Sequence, residues 1–96
     1  MPDPNAALVV THNIAANRFE AGAGADLAMC DYTLDGHRVV FTHTFVPPTL
    51  RGRGIAEQLA RAALAWARAE NKKVVPACSY IAAFIGRHRE FQALVE

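Results

Sequence analysis

The stretch Val46–Trp66, VPPTLRGRGIAEQLARAALAW, decides how the rest of the chain is read. Two prolines close an apolar run, two glycines alternate with two arginines, and an alanine- and leucine-rich segment follows. Ile55, Leu59, Ala62, Ala63 and Trp66 fall at i, i+4, i+7, i+8 and i+11, the spacing of one packed stripe, so a helix is expected over Gly54–Glu70. Glu57 and Arg61 are spaced to pair on another side of it, and Asn71 is placed to cap its end. A helix start exposes unpaired N–H groups and the positive end of the dipole. Glycine lets backbone approach an anion closely, and arginine adds charge-assisted hydrogen bonds. LRGRGIA thus has the parts of a phosphate cradle, without the G-K-[ST] ending of a Walker loop. The competing reading is a basic turn that enters a helix.

Upstream, Asp35-Gly36 is a strong hairpin signal between Leu27–Leu34 and His37–Val46. A two-residue loop there pairs Leu34 with His37, Tyr32 with Val39 and Cys30 with Phe41. Cys30, Tyr32, Val39, Phe41 and His43 then share an apolar face, and Asp31, Thr33, Arg38, Thr42 and Thr44 the other. Ala7–Asn13 reads as a first strand and Arg18–Ala21 as a short second one. Gly22 and Gly24 form a plain turn, because strand residues and not a helix follow them. Downstream, KKVVPA is a short strand whose end Pro76 weakens. Ser79 is expected to cap a second helix with Ile81, Phe84, Ile85 and His88 on one stripe, Gly86 to break it, and REFQALVE to form a short final helix. The order β–β–β–β–α–β–α is an α+β arrangement, antiparallel first, with a βαβ crossover later.

With 96 residues, 52% of them hydrophobic and 20% charged, one globular domain over 1–96 is expected, with a polar tail at 1–6. The net charge of +1 makes any anion site local. It argues against a nucleic-acid binder built on RGRG with Lys72 and Lys73, as does the lack of aromatic residues interleaved with them. The N-terminus has no basic n-region, and no apolar run approaches the roughly 18 residues of a membrane span, so a cytoplasmic protein with no membrane partner is expected. Cys30 and Cys78 lack metal-type spacing and read as free thiols; no set of His, Cys and carboxylates is spaced for a metal.

Arg51-x-x-Gly54-x-Ala56, between a strand and a helix, resembles the acyl-CoA pyrophosphate signature of the GNAT superfamily of N-acetyltransferases. THN and RFE, then THT, VPP and LRGRGIA, then PACSYI and RH, resemble a small single-domain subgroup over about Leu8 to Leu94. The resemblance implies a twisted mixed sheet with splayed central strands flanked by helices, and acetyl-CoA as co-substrate lying in the split. Its pantetheine arm would bond to a strand edge near Phe45 and Val46. Its pyrophosphate would rest on the N–H groups of Arg51, Gly52, Arg53, Gly54, Ile55 and Ala56, and its thioester would point toward ACSY. The implied activity is acetyl transfer to an amine, a lysine on a protein or a small amine, without a metal. Phe45 stands where some members carry Glu, which removes a possible base, and Arg89 replaces the more typical proline of RHPE. The chain is shorter than a typical GNAT domain, and the helices that usually wall the acceptor side are missing. That leaves an open site, or one completed by a partner. A CoA- or acyl-CoA-binding module with little or no catalysis is the alternative.

Amine acetylation needs a neutral amine, a polarised carbonyl and a proton for the leaving thiolate. Cys78 precedes a helix start, where a thiolate gains stability. It can accept the acetyl group or protonate the departing sulfur; the competing reading is a small buried core thiol. Tyr80 is the other candidate acid, because a tyrosine on this helix often has that part in GNAT enzymes; otherwise it is a wall residue. His43 is a candidate proton relay, against a hydrogen-bonded core histidine. Cys30 is expected in the core, Ser79 as a cap, His12 and Asn13 as structural, and His88 with Arg87 near the CoA side or on a solvated helix end.

Overall fold

The computed structural model of the protein describes residues 9–96. The expected tail, and Ala7 and Leu8 of the expected first strand, lie outside the described residues. The five strands run β1 (Thr11–Asn13), β2 (Arg18–Ala23), β3 (Asp26–Asp35), β4 (Arg38–Phe45) and β5 (Lys73–Pro76), and they lie in the sheet in that order. All neighbours are antiparallel except β4 and β5, which are parallel and joined by helix α1 (Ile55–Ala69). Helix α2 (Ser79–Arg87) follows β5, and a 3-10 segment, Arg89–Leu94, ends the ordered elements. The result is the expected mixed sheet with an α+β arrangement.

Burial follows the strand alternation on one face only. Phe19, Ala21, Ala28, Cys30, Tyr32, Val39, Phe41 and Val74 are buried there beneath the helices. The opposite face keeps Glu20, Leu27, Met29, Asp31, Val40 and Val75 half-buried, with no helix over it among the described residues. Helix α1 buries Ile55, Leu59, Ala60, Ala63, Leu64 and Ala67. The stripe is rotated slightly from the expected one, with Ala60, Leu64 and Ala67 buried where Ala62 and Trp66 were expected. Ala62 and Trp66 are half-buried beside it, and Trp66 reaches over His12, Phe19 and Tyr32. Leu59 and Leu64 are fully buried, each worth about 2–3 kcal/mol relative to exposure. The helix ends as expected on Asn71: its φ of 54° is left-handed, its N–H bonds to Arg68 O, and the Lys72 N–H bonds back to Ala67 O.

Five expectations are corrected by the backbone. The hairpin loop is Gly36-His37, so Asp35 pairs with Arg38, Leu34 with Val39 and Tyr32 with Phe41. Gly36 takes the positive φ at the first loop position, and Asp35 stays in the ladder with its carboxylate 3.3 Å from Arg38. The register then slips, because Asp31 faces His43 and leaves Thr42 as the extra residue of a bulge. His43 is therefore exposed on the outer face, away from Phe41, and Thr44 takes the inner face opposite Cys30. Ser79 caps nothing; Cys78 is the N-cap residue of α2 and Ser79 its first helical residue. Gly86 does not break α2, which runs on to Arg87, and the final segment is 3-10 helix, with Val95 bridging to Val74.

The strands splay where expected. β4 and β5 pair only from Arg38/Lys73 to Phe41/Pro76, and the Cys78 N–H closes the last rung on Phe41 O at 2.7 Å. Beyond that rung β4 runs on to Phe45 with β3 on one side and, among the described residues, no strand on the other.

Candidate active site

Two helix N-termini meet the mouth of this split. The chain leaves β4 through Val46-Pro47 and makes a 3-10 turn at Pro48–Leu50, where proline suits the first position. Leu50 anchors the turn in the core, against Gly22, where a side-chain carbon would meet Leu50 Cδ1 at 3.3 Å and run into the Asp26 carbonyl. Thr49 adds a latch, its hydroxyl donating to Asp26 Oδ1 at 2.7 Å. The β2–β3 turn thereby holds the loop that leads into α1.

The Arg51 guanidinium folds back, with Nε donating to Val46 O at 3.0 Å. Gly52 and Gly54 have φ of 82° and 71°, a conformation that costs other residues about 1 kcal/mol or more. No atom lies within 4 Å of where their side chains would start, so both face open space. The first helical bond is Gln58 N–H to Gly54 O, which leaves the N–H groups of Ile55, Ala56 and Glu57 without helical acceptors. Gly54, the N-cap residue, has no side chain to cap this terminus, and no described side chain does so. Uncapped donors, left-handed glycines and a dipole end together favour an anion.

A cleft of about 270 Å³ opens in front of them. Of the residues expected to bind, Val46, Arg51, Gly52, Gly54, Ile55 and Ala56 line it, and Tyr80 forms its far wall. Leu50 and Glu57 also line it and were missed by sequence reasoning; Glu57 was assigned only to its pair with Arg61, which forms at 3.1 Å. Arg53 lies outside the lining, exposed between the two glycines, and makes no ion pair among the described residues. Phe45 also lies outside it, opposite Met29 on the outer face and 40% exposed.

Cys78 lies at the apex of the split rather than in the cleft lining, and is 8% exposed. Ala82 N–H to Cys78 O is the first bond of α2, so the thiol sits at a helix N-terminus, as the sequence implied. Its S–H donates to Thr44 Oγ1 at 3.4 Å. Thr44 is a residue the sequence assigned to the wrong face, and nothing in FTHTF marks the bulge that turns it inward. Cys30, fully buried opposite Thr44, has its thiol pushed up to about 12, first by burial, with Thr44 opposing and the charges of Cys78 and Asp31 adding. Burial also raises the Tyr80 phenol, which Arg87 pulls down and Glu57 pushes up, so it stays protonated at neutral pH.

The remaining histidines of interest belong to the scaffold. His12 stacks on Phe19 at 4.0 Å and bonds to the Tyr32 hydroxyl at 2.7 Å, and burial lowers its pKa. It lies on β1, the sheet edge farthest from β5 in strand order. His88 stacks on Phe84 at 3.9 Å and its Nδ1–H donates to Phe84 O at 2.7 Å, which closes the end of α2. No three metal-ligating side chains cluster among the described residues.

The sequence profile of the GCN5-related N-acetyl-transferase family matches residues 18–94. Protein NATD1 of Xenopus tropicalis is 34% identical over 86 residues, covering 86% of this chain and 79% of its own length. Protein NATD1 of Homo sapiens is 43% identical over 61 residues, covering 62% of this chain and 54% of its own. The solution structure of a GCN5-like protein from Staphylococcus aureus superposes with a TM-score of 0.75 at 25% identity, over 93% of this chain and 88% of that one.

Proposed function

The chain belongs to the GCN5-related N-acetyltransferase family, and on that premise we propose that it transfers the acetyl group of acetyl-CoA to an amine. The observation that carries this is the uncapped start of α1, whose left-handed glycines face open space at one end of a cleft that ends on Tyr80. The N–H groups from Gly52 to Ala56 suit the pyrophosphate, with Arg51 and Arg53 at the rim. The unpaired arm of β4, ending at Phe45 and Val46, suits the amides of the pantetheine arm. Acetyl-CoA supplies an activated acyl group there; the residues of this chain orient it and manage protons.

The transfer forms a C–N bond to the amine and breaks the C–S bond, so one proton leaves the amine and one reaches sulfur. Cys78 and the protonated Tyr80 stand on the inner side of the split and suit the second task. Cys78 can also accept the acetyl group first and pass it on. His43 was expected on the inner face, and its actual place, exposed on the outer face that no described helix covers, suits the first task, since an acceptor can approach from that side. That open face favours a lysine presented by a protein over an amine enclosed in a pocket.

Calorimetric titration with acetyl-CoA tests the reading. Wild type is expected to bind saturably, and Gly54→Glu, which sets a side chain and a negative charge in the cradle, to lose binding while its thermal unfolding persists. Absence of binding by the wild type overturns the proposal. Binding without turnover on any amine favours the CoA-binding module, for which the specific support is Phe45 in place of a carboxylate. Mass spectrometry after acetyl-CoA alone separates the two routes, because only the covalent one leaves acetyl on Cys78.

A further inference from the structure

Cys30 is a fully buried nucleophilic group with no part in the mechanism above, and Thr44 is a hydroxyl the mechanism does not use. Both belong to one arrangement. The bulge at Thr42 brings Thr44 onto the inner face, opposite Cys30 in the β3–β4 ladder. From the other side of the split the Cys78 thiol reaches the same hydroxyl at 3.4 Å. Without the bulge, His43 would hold this place and Cys78 would not meet a hydroxyl opposite Cys30.

We propose that Cys30, Thr44 and Cys78 form one hydrogen-bonded line ending on the Cys78 sulfur, in which Thr44 and Cys30 are positioning residues that stabilise the Cys78 thiolate. A hydroxyl has one donor and two acceptor sites. While Cys78 is protonated, its S–H donates to Thr44 Oγ1. Once Cys78 gives up its proton, to the departing CoA sulfur or to water, the hydroxyl turns and donates to the sulfur anion. Thr44 Oγ1 is then free to accept the Cys30 S–H. Cys30 keeps that proton across the working range, because burial holds its thiol up to about 12. No proton is lost from the line except the one Cys78 delivers. Both routes through Cys78 pass through its thiolate, one at the start and one at the end, so the device serves either.

Among the described residues, the titratable groups around the two sulfurs are few. From β3 come Cys30 and Asp31, whose charge is paired with Arg18 at 3.0 Å. β4 presents an uncharged hydroxyl and turns His43 away. On α2 itself Tyr80 follows Cys78, and Arg87 and, from α1, Glu57 act on Tyr80. The α2 N-terminus adds its dipole. Thr44 is the side-chain hydroxyl recorded within hydrogen-bond reach of the Cys78 sulfur.

The inference rests on the proposed function only in giving Cys78 a chemical role, and its test does not need turnover. The ultraviolet absorbance of the thiolate is titrated with pH in the whole chain, with Cys78→Ser as the blank. Thr44→Val, which keeps the shape and removes the hydroxyl, is expected to raise the Cys78 midpoint by about one pH unit, a roughly tenfold loss of thiolate at fixed pH. Thr44→Ser is expected to restore it, and Cys30→Ala to raise it by less than Thr44→Val. A Thr44→Val midpoint equal to wild type, in a variant with native thermal unfolding, overturns the proposal; if Thr44→Val does not fold, Thr44→Ala decides in the same way. Should the titration behave as expected while no amine is acetylated, the functional reading falls and the hydrogen-bonded line stands.

Discussion

At the β1 edge of the sheet, polar groups find partners inside the protein. His12 bonds to Tyr32, Asn13 Nδ2 donates to Glu20 at 3.0 Å, and Arg18 pairs with Asp31 at 3.0 Å. Asn13 Oδ1 also caps the 3-10 turn Ile14–Ala16 by accepting the Ala16 N–H. Trp66 lies 4.8 Å from the His12 ring and 5.0 Å from the Tyr32 ring, ring centroid to ring centroid, and covers the cluster. At the β4–β5 end the same kinds of group are left open. Among the described residues, neither α1 nor α2 has a side-chain cap, the last residues of β4 lack a strand neighbour on one side, and two glycines face empty space. Buried or bonded donors stabilise a fold, whereas donors held in place and left unpaired bind something else. The first region is scaffold and the second is site, although both are built from sheet edge, helix and aromatic side chains.

The largest separable effect is expected at the scaffold end. Trp66→Ala removes the cover of the aromatic cluster and should destabilise the fold by about 3 kcal/mol in chemical denaturation. Acetyl-CoA affinity at temperatures where the variant is folded should match wild type. A parallel loss of affinity would erase the distinction between the two ends. Gly54→Glu should do the reverse. The left-handed strain costs about 1 kcal/mol of stability, while like charge against a pyrophosphate costs several, a loss of more than about a hundredfold in affinity.

How far each end could be read in advance also differs. The helix α1, its start at Gly54 and its end at Asn71 were legible because glycine, arginine and asparagine have sharp local meanings there. So was the order of elements, antiparallel strands first and a βαβ crossover later, whereas the splay was expected only from the family resemblance. What lay hidden depends on pairing between strands. In FTHTF the polar residues stand on both sides of His43, so the pattern is equally consistent with a straight strand and with a bulged one. The one-residue slip exchanges His43 for Thr44 at the site. The Asp35-Gly36 loop moved by one position for a similar reason, because Asp35 can turn or pair, and in the ladder it pairs with Arg38. The latch of Thr49 on Asp26 joins residues 23 apart in sequence and had no local signal.

That latch gives a smaller effect that sharpens the contrast. It lies on the surface and contributes little to stability, about 1 kcal/mol at most, yet it braces the loop that presents Arg51 and Gly52. Asp26→Ala and Thr49→Val should each weaken acetyl-CoA binding by several-fold while the melting temperature moves little. The double variant should be no worse than either single one, because both remove the same bond. Calorimetry on the three variants checks this, and additive losses would show that the two side chains act separately.

The smallest effect concerns pH and again separates the ends. Burial lowers the His12 pKa in the folded state, so the native protein prefers the neutral ring and the unfolded chain binds the proton more readily. The contribution of His12 to stability is therefore fully present above the unfolded value of about 6.5 and is lost as pH falls through the lower folded value. Melting temperature should decline as pH is taken from 7 toward 5, and His12→Gln, which cannot titrate, should flatten that slope after its own loss of stacking on Phe19. Acetyl-CoA affinity over the same range should be the same in His12→Gln as in wild type, since His12 is scaffold. An affinity profile that changed with His12 would connect the far edge of the sheet to the cradle, most directly through Trp66, which packs edge-on against His12 and lies in α1, the helix whose N-cap is Gly54.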